Sequence, residues 1–476
     1  MQIDKKKLER QQEGVDKWFD SGNNNEGMSG VLDWYTGVGK TFASILVIKR
    51  LFRLFNNHSI VILVPSETLY VQWNKVLSEN FTKKELITIS VFTPNQIVTN
   101  KIKINTDTVI VDELHDFYST EYVKTIDGTY IRYKNNLGLT ATYEDFRKRH
   151  LAITSKFPVI DTIGEGEAVK SGFISRFVEF NLNVKLSKEE RIQYDVYSEV
   201  ITDNLNKFGN NNQLELASKC LSGGQHSNGK HYEAKQFVMG WAASKGWNKN
   251  LDFSLETNKE INALWNPNLI FGYAKNLMTA VRKRKDLLYH CSNKSKICSD
   301  IIFKFPELKA IVFSESTSYA DKLNKELNEK EDGISVVYHS QLDTIYAPSP
   351  DTGKLIKFGS VRLKRKAMQD ITTGKARALC VASSVDKGLD IPSLKLGITA
   401  SGKSNFTQYK QRGGRVKRVF NDKVALLVNL YIRGTREEAW LKSRQSKSTH
   451  RIYWVDSIDE ISFTPSNKRK IKLNII

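Results

Sequence analysis

Cysteine is scarce in this 476-residue chain: Cys220, Cys291, Cys298 and Cys380 are the four, and they lie far apart or unpaired. So thin a distribution excludes a disulfide framework and predicts a reducing, cytoplasmic setting. No two of them form the C-x₂-C pair of a structural zinc site. Neither Cys220 with His226 and His231, nor His290-Cys291 with Cys298, therefore predicts zinc. Long apolar runs are also missing, which excludes a bilayer-spanning helix, and the opening MQIDKKKLERQQ is polar throughout, so no signal peptide is expected. No basic helix with a bulky apolar face stands out, and beyond two similar α/β halves there is no internal repeat. What the chain has in excess is positive charge. Lys and Arg number 72 against 52 Asp and Glu, a net +20, which favours a polyanion as partner. The length fills two to three domains with ample core.

The stretch DWYTGVGKTFASILVIKRLF, from Asp33 to Phe52, has the parts of a phosphate-cradling loop. A turn through Gly37-Val38-Gly39 lets successive backbone N–H groups converge on phosphate oxygens. Lys40 then reaches the β and γ phosphates and the Thr41 hydroxyl holds Mg²⁺. The following helix points its positive end at the same phosphates, and Ser29-Gly30-Val31-Leu32 supplies a feeding strand. Trp34 stands where the strict pattern has its first glycine, so the pentapeptide alone also fits an ordinary glycine turn before an amphipathic helix.

Further on, TVIVDELHDFYS carries a β-branched apolar run from Thr108 to Val111, of the kind found in buried parallel strands. It delivers Asp112 and Glu113 at its carboxyl end, where open α/β sheets bind ligands. Asp112 is suited to hold Mg²⁺ through water and Glu113 to polarise the attacking water. Near the other end, QRGGRVKR spans Gln411 to Arg418. Hydrolysis gathers negative charge on the γ-phosphoryl group, and an arginine from a second domain stabilises it. Arg415 and Arg418 are three apart and so share a helical face, with Gln411 four before Arg415 on that face to orient water or phosphate. Taken by itself the same stretch also fits a basic DNA-contacting helix.

Together these segments resemble the superfamily two helicases and translocases, in the DExH style because residues 112–115 read DELH. The resemblance covers most of the chain, with the motifs in the family's order. It implies that Leu8 to Gln12, with Arg10 and Val15, form the adenine-sensing segment, Gln12 being the base contact. VILVPSETLYVQW resembles the first nucleic-acid motif, implying contacts from Pro65, Gln72 and Trp73; VFTPNQI resembles the next, through Thr93. LTAT at Leu139 to Thr142 is similar to the motif that couples the two domains. AIVFSES implies strand contacts from Ser314 and Ser316. VASSVDKGLDIP resembles the fifth motif, implying Ser383 on nucleic acid and Gly388 and Asp390 at the nucleotide. The family's usual threonine there is replaced by Ser383 and Ser384, leaving two hydroxyls for one role. Trp34 falls at a variable position of the family's looser loop, so the loop is expected to bind ATP.

The predicted fold is α/β: two tandem RecA-like parallel-sheet domains with an insertion in or before the second. Residues 1–187 form the ATP-binding domain. Residues 188–476 form the second, with an inserted segment at about 203–267 and a C-terminal tail. At the boundary, Ser187 is an expected helix N-cap with Glu190 three residues on, and the extended segment before it is the expected inter-domain crossing. The insertion is rich in Asn, Gly and Ser and predicts long loops. Its Trp241 and Trp247 read as local core aromatics, with base stacking or a duplex wedge as the alternative. VRKRK (Val281 to Lys285) and the basic run from Arg362 read either as solvated helix faces or as phosphate contacts. The tail near Ile452 to Val455 alternates as a strand or hairpin arm.

The reading is an ATP- and Mg²⁺-dependent DNA helicase or translocase acting on forked, branched or single-stranded DNA. No metal beyond Mg²⁺ and no membrane are expected. It is expected to be a cytoplasmic monomer (host cytoplasm if phage-encoded) working beside replication or repair proteins. The Gly-Leu-Asp fifth motif and Tyr338-His339 look closest to repair and branch-migration helicases, compact phage enzymes included. An RNA helicase, or a motor that translocates on duplex without separating it, stays open. A nucleotide-gated switch is disfavoured, since it has no need of Glu113 and Arg415.

Overall fold

The computed structural model describes residues 5–22, 27–144, 148–208, 213–222, 267–343, 345–348, 355–382, 391, 393–420 and 423–464. They pack as two compact units: one holds the residues up to Asn183 together with those from Ile297 onward, the other spans Val184–Lys296.

The first unit contains both expected sheets. Among the described residues, β1 (Ser29–Trp34), β2 (Ile60–Leu63), β3 (Ile89–Phe92), β4 (Ile104–Asp112), β5 (Ile131–Thr140) and β6 (Val159–Ile163) form one parallel sheet in the order β3-β2-β4-β5-β1-β6. Successive strand residues go to opposite faces, and both faces are covered. Val31, Val61, Leu63, Val109 and Val111 enter one apolar cluster, while Leu32, Ile60, Ile62 and Ile110 enter another. Helices Lys5–Asp20 and Lys40–Leu54 supply Val15, Trp18, Ala43, Val47, Ile48 and Leu51 to the second cluster. The strand register aligns the chemistry: Asp33 pairs with Thr140 and Asp112 with Leu139, so three strand ends open onto the same edge.

The second sheet runs β15-β7-β14-β13-β8-β12-β9, again with parallel pairings. Its strands are β7 (Phe177–Asn183), β8 (Ala310–Ser314), β9 (Ser335–Tyr338), β12 (Ala378–Ala382), β13 (Leu396–Thr399), β14 (Ala425–Tyr431) and β15 (Ile452–Val455). Its membership was not foreseen in one respect. The extended segment before Ser187 is β7, which lies between β14 and β15 in the second sheet, so the change of sheet falls upstream of Phe177. Periodicity cannot report this, because a buried strand reads alike in either sheet. The tail stretch Ile452–Val455 is an edge strand parallel to β7, not a hairpin arm. A small antiparallel ribbon, β10 (Ile345–Pro348) with β11 (Leu355–Phe358), precedes the helix Ser360–Thr373, on which Arg362, Arg365 and Lys366 are exposed.

The described residues of the Val184–Lys296 unit are largely helical. Ser187 and Glu190 make the expected capping box at the start of the helix Lys188–Leu205. Ile201, Phe208, Ala217, Cys220, Ala274, Leu277 and Ala280 form its small core. The Asn- and Gly-rich stretch includes a helix, Gln213–Ser222, where loops were expected, because Leu216, Ala217, Cys220 and Leu221 share an apolar face. Within VRKRK, Arg284 donates to Ser198 Oγ at 3.1 Å and stacks on Tyr194, a structural role in this unit. Trp241 and Trp247 lie outside the described residues.

Within the first unit, one buried polar cluster ties the segment before β15 to Glu165 and to β7. His450, just before β15, meets Glu165 Oε2 through Nδ1 and Glu179 Oε2 through Nε2, both at 2.7 Å. Glu179 also accepts from Tyr409, Asn429 and Gln445. Burial opposes the imidazolium, but the hydrogen bonds to the two carboxylates win and push His450 up to about 9. A raised value means that its stabilisation is complete below the ordinary 6.5 and fades as pH rises through about 9. His450→Gln is expected to cost about 2–3 kcal/mol at pH 6. The deficit should shrink toward pH 10 in thermal melts of both proteins.

Candidate nucleotide site

The loop after β1 has the shape that the glycines require. Gly37 and Gly39 have φ of 89° and 102°, a region costly for other residues, and a Cβ on Gly39 would stand 2.3 Å from Gln11 Nε2. Lys40 begins the helix and donates to the Trp34 carbonyl at 3.0 Å. Thr41, beside it, is half-buried. Trp34 itself is wholly buried at the end of β1, its indole N–H donated to Asp161 at 2.7 Å. Its ring thus packs into the core against Gly14 of the first helix. The glutamine that touches the loop is Gln11, 3 % exposed and donating to the Val38 carbonyl at 2.7 Å. Gln12, expected at the base, instead bonds Asp16 within its own helix. Helical phase separates the two: Gln11 shares its face with Gly14, Val15 and Trp18, which are buried.

Across the same sheet edge stands the acid pair. Asp112 accepts the Trp73 indole N–H at 2.9 Å and the Glu113 backbone N–H at 3.0 Å. Burial, and then the neighbouring Glu113 charge, push its carboxyl up to about 6. Glu113 takes a left-handed backbone (φ 51°), and its Oε2 is buried without a hydrogen-bond partner, 3.5 Å from His115 Nδ1. A strained, desolvated carboxylate beside a second one is suited to holding a cation and a water. The residues present fit a triphosphate with its divalent ion. Burial also pushes Asp33 up, with Lys410 and Lys40 drawing it back.

The helix Phe406–Val416 of the sixth motif lies directly on this edge. Gln411 Nε2 is 3.4 Å from His115 Nε2, and His115 Nδ1 is 2.9 Å from Thr140 Oγ1. Lys410 donates to the Ala141 carbonyl at 3.0 Å, and Thr407 to Thr142 Oγ1 at 3.2 Å. The LTAT segment therefore touches the helix directly at two points and a third time through His115, and Arg415 is buried on the same helix. Arg412 is turned away, bound to Ser401 and Glu315 of the second sheet's own loops. The helix stops at Val416, so Arg418 lies past its end and not on one helical face with Arg415. Ser175 holds that turn, its N–H on the Lys417 carbonyl and its hydroxyl on that of Arg418.

Residues 4–145 match the family model "Type III restriction enzyme, res subunit", and residues 293–420 match "Helicase conserved C-terminal domain". The DNA 3′-5′ translocase XPB2 of Sulfurisphaera tokodaii is 22 % identical over 424 residues, covering 86 % of this chain and 79 % of that protein. The Pyrococcus furiosus Hef helicase domain superposes over 92 % of this chain and 99 % of its own, at 17 % identity and a TM-score of 0.49. The chain belongs to the superfamily two helicases. It is accordingly a nucleic-acid-dependent ATPase.

The nucleic-acid residues implied by this helicase's motifs are less uniform. Trp73 is 2 % exposed and serves Asp112, so its burial corrects the expectation of a nucleic-acid contact. Ser314 is buried too, its hydroxyl on the Ser316 carbonyl. Thr93 caps the helix Pro94–Asn100 in a capping box with Gln96, and Ser316 caps Thr317–Lys330. Pro65 and Gln72 are half-buried. Ser383, Gly388 and Asp390 lie outside the described residues. Sequence reasoning missed Gln11, Lys410 and the Trp34–Asp161 bond; the buried face of the first helix was the available signal for Gln11.

Gly414 supplies the tightest contact of the helicase site. A Cβ there would fall 1.8 Å from Thr36 Oγ1 and 2.6 Å from Thr36 Cβ, so no rotamer of Thr36 relieves it. Gly414→Ala should displace the helix and lower the ATPase rate by on the order of tenfold to a hundredfold. The melting temperature should stay near that of the parent; steady-state hydrolysis and a melt check both.

Proposed function

We propose that this chain is an ATP-driven DNA motor whose site lies where the sixth-motif helix meets the phosphate loop. That contact is the observation carrying the reading: Gly414 on Thr36, Gln411 at His115, and buried Arg415 on the same helix. Lys40 and Thr41 would hold the phosphates and Asp112 the Mg²⁺, with Glu113 the base for water. Arg415 and Arg418 would stabilise the developing γ-phosphoryl charge from the second sheet. Cleft movements coupled to hydrolysis would step the lobes along a strand held mostly by phosphate contacts.

DNA as the track is supported by the net charge of +20 and by the DNA translocase among the relatives. We read the substrate as forked, branched or single-stranded DNA in repair or recombination, approached as a monomer beside other replication or repair proteins. Four buried thiols and the absence, among the described residues, of a helix able to cross a membrane fit a cytoplasmic setting. We put the change from first to second domain between Ile163 and Phe177, supported by the pairing of β7 with β14.

Glu113→Gln should still bind nucleotide yet lose hydrolysis by about a hundredfold or more, whereas Arg415→Ala should lose hydrolysis by about a thousandfold with DNA affinity nearly intact. Filter binding and phosphate release measure the two properties. Wild-type turnover in Glu113→Gln, or stimulation by RNA equal to that by DNA, would sink the assignment.

A further inference from the structure

Between the two arginines of the sixth motif stands Lys417, a lysine with no part in the chemistry above. Its side chain is almost wholly buried, an expensive place for an ammonium unless it is paired. It is paired with care. Lys417 Nζ donates to Glu165 Oε1 at 2.6 Å and to the Tyr35 hydroxyl at 3.2 Å, and lies 3.6 Å from the centre of the Phe177 ring. Tyr35 donates to the same Glu165 oxygen at 2.5 Å. The backbone of Lys417 is held as well, its N–H on Gly413 and its carbonyl on Ser175.

The partners are what make this more than packing. Tyr35 is the residue immediately before Thr36, at the entrance to the phosphate loop. Glu165 opens the short helix Glu165–Lys170, in the segment joining β6 to β7 and hence the two sheets. One carboxylate oxygen thus binds the loop's approach and the sixth motif at once, while its other oxygen holds His450. Buried ion pairs add little net stability over apolar packing, but they penalise any geometry that parts them. A lysine at this place therefore fixes position in a way that an apolar side chain would not.

We propose that Lys417 is a positioning residue: through Glu165 and Tyr35 it sets where Arg415 and Arg418 stand relative to the phosphate loop. Movement of the loop at Tyr35 is passed to the arginines by a short polar chain and not by backbone packing alone. The inference rests on the reading of the chain as a DNA-stimulated ATPase.

The test compares Lys417→Met, Tyr35→Phe and the double variant with the parent, in DNA-stimulated hydrolysis, nucleotide binding and melting. Methionine fills the space without the charge, and phenylalanine removes one hydroxyl. Lys417→Met should lower kcat about tenfold with KM for ATP and DNA affinity within about threefold of the parent. Tyr35→Phe should lower kcat less, and the double variant no further than Lys417→Met, because both cut one chain. A purely structural lysine would lower the melting temperature and leave kcat per folded molecule unchanged. A folded Lys417→Met with parental kcat overturns the inference. Should Lys417→Met not fold, parental kcat in Tyr35→Phe overturns it in the same way. A parent protein without DNA-stimulated hydrolysis overturns the motor reading instead, and that result needs no variant.

Discussion

The backbone of the sixth-motif helix rests on the side chain of Thr36 with no room for a Cβ at Gly414, and most of the functional geometry follows from that contact. It decides how closely a helix belonging to the second sheet approaches a loop belonging to the first. With the helix at that distance, Gln411 reaches His115, Lys410 reaches Ala141 of LTAT, and Arg415 is buried on the same helix. A helix one side chain farther out would keep every motif and lose the shared site, since hydrogen bonds do not stretch over an extra ångström or two.

Charge is the second constraint. Asp33, Asp112 and Glu113 cluster at one sheet edge with Lys40 and Lys410 between them, all partly or wholly withdrawn from water. Burial makes carboxylates harder to ionise and ammonium groups easier to neutralise, which is the direction taken by Asp33, Asp112 and Lys410. Such a site is poised for a polyanion with a divalent cation, which would supply the charges the protein leaves unmatched. Behind it, the Glu165–His450–Glu179 cluster carries the opposite arrangement, where paired groups are held in their charged forms.

The segment between the sheets does more than connect them. It supplies Glu165 to the buried cluster, Ser175 to the turn at Arg418, and β7 to the second sheet, next to its edge strand β15. Its strand hydrogen bonds to β14 and β15 anchor the crossing to the second sheet, while Glu165 ties the same segment to Tyr35 at the phosphate loop. The Val184–Lys296 unit, helical where it is described, then follows from the end of β7 and ends within the helix Ser292–Lys304, with a core of its own.

Sequence alone determined whatever depends on local chemistry. The loop glycines, Lys40, Asp112 and Glu113 after a β-branched strand, the Gln411–Arg415 spacing and the Ser187 cap are all short-range patterns, and each has a single good local structure. Two parallel sheets followed from alternating strand and helix patterns for the same reason. Only the tertiary structure decided which of two adjacent glutamines faces the loop, that Trp73 turns inward to Asp112, and that β7 belongs to the second sheet. It alone brought Lys417, Tyr35 and Glu165 together from three distant parts of the chain. Partners so far apart in sequence share no spacing rule: what selects them is burial, which makes an unpaired charge too costly to leave and so dictates who must meet whom.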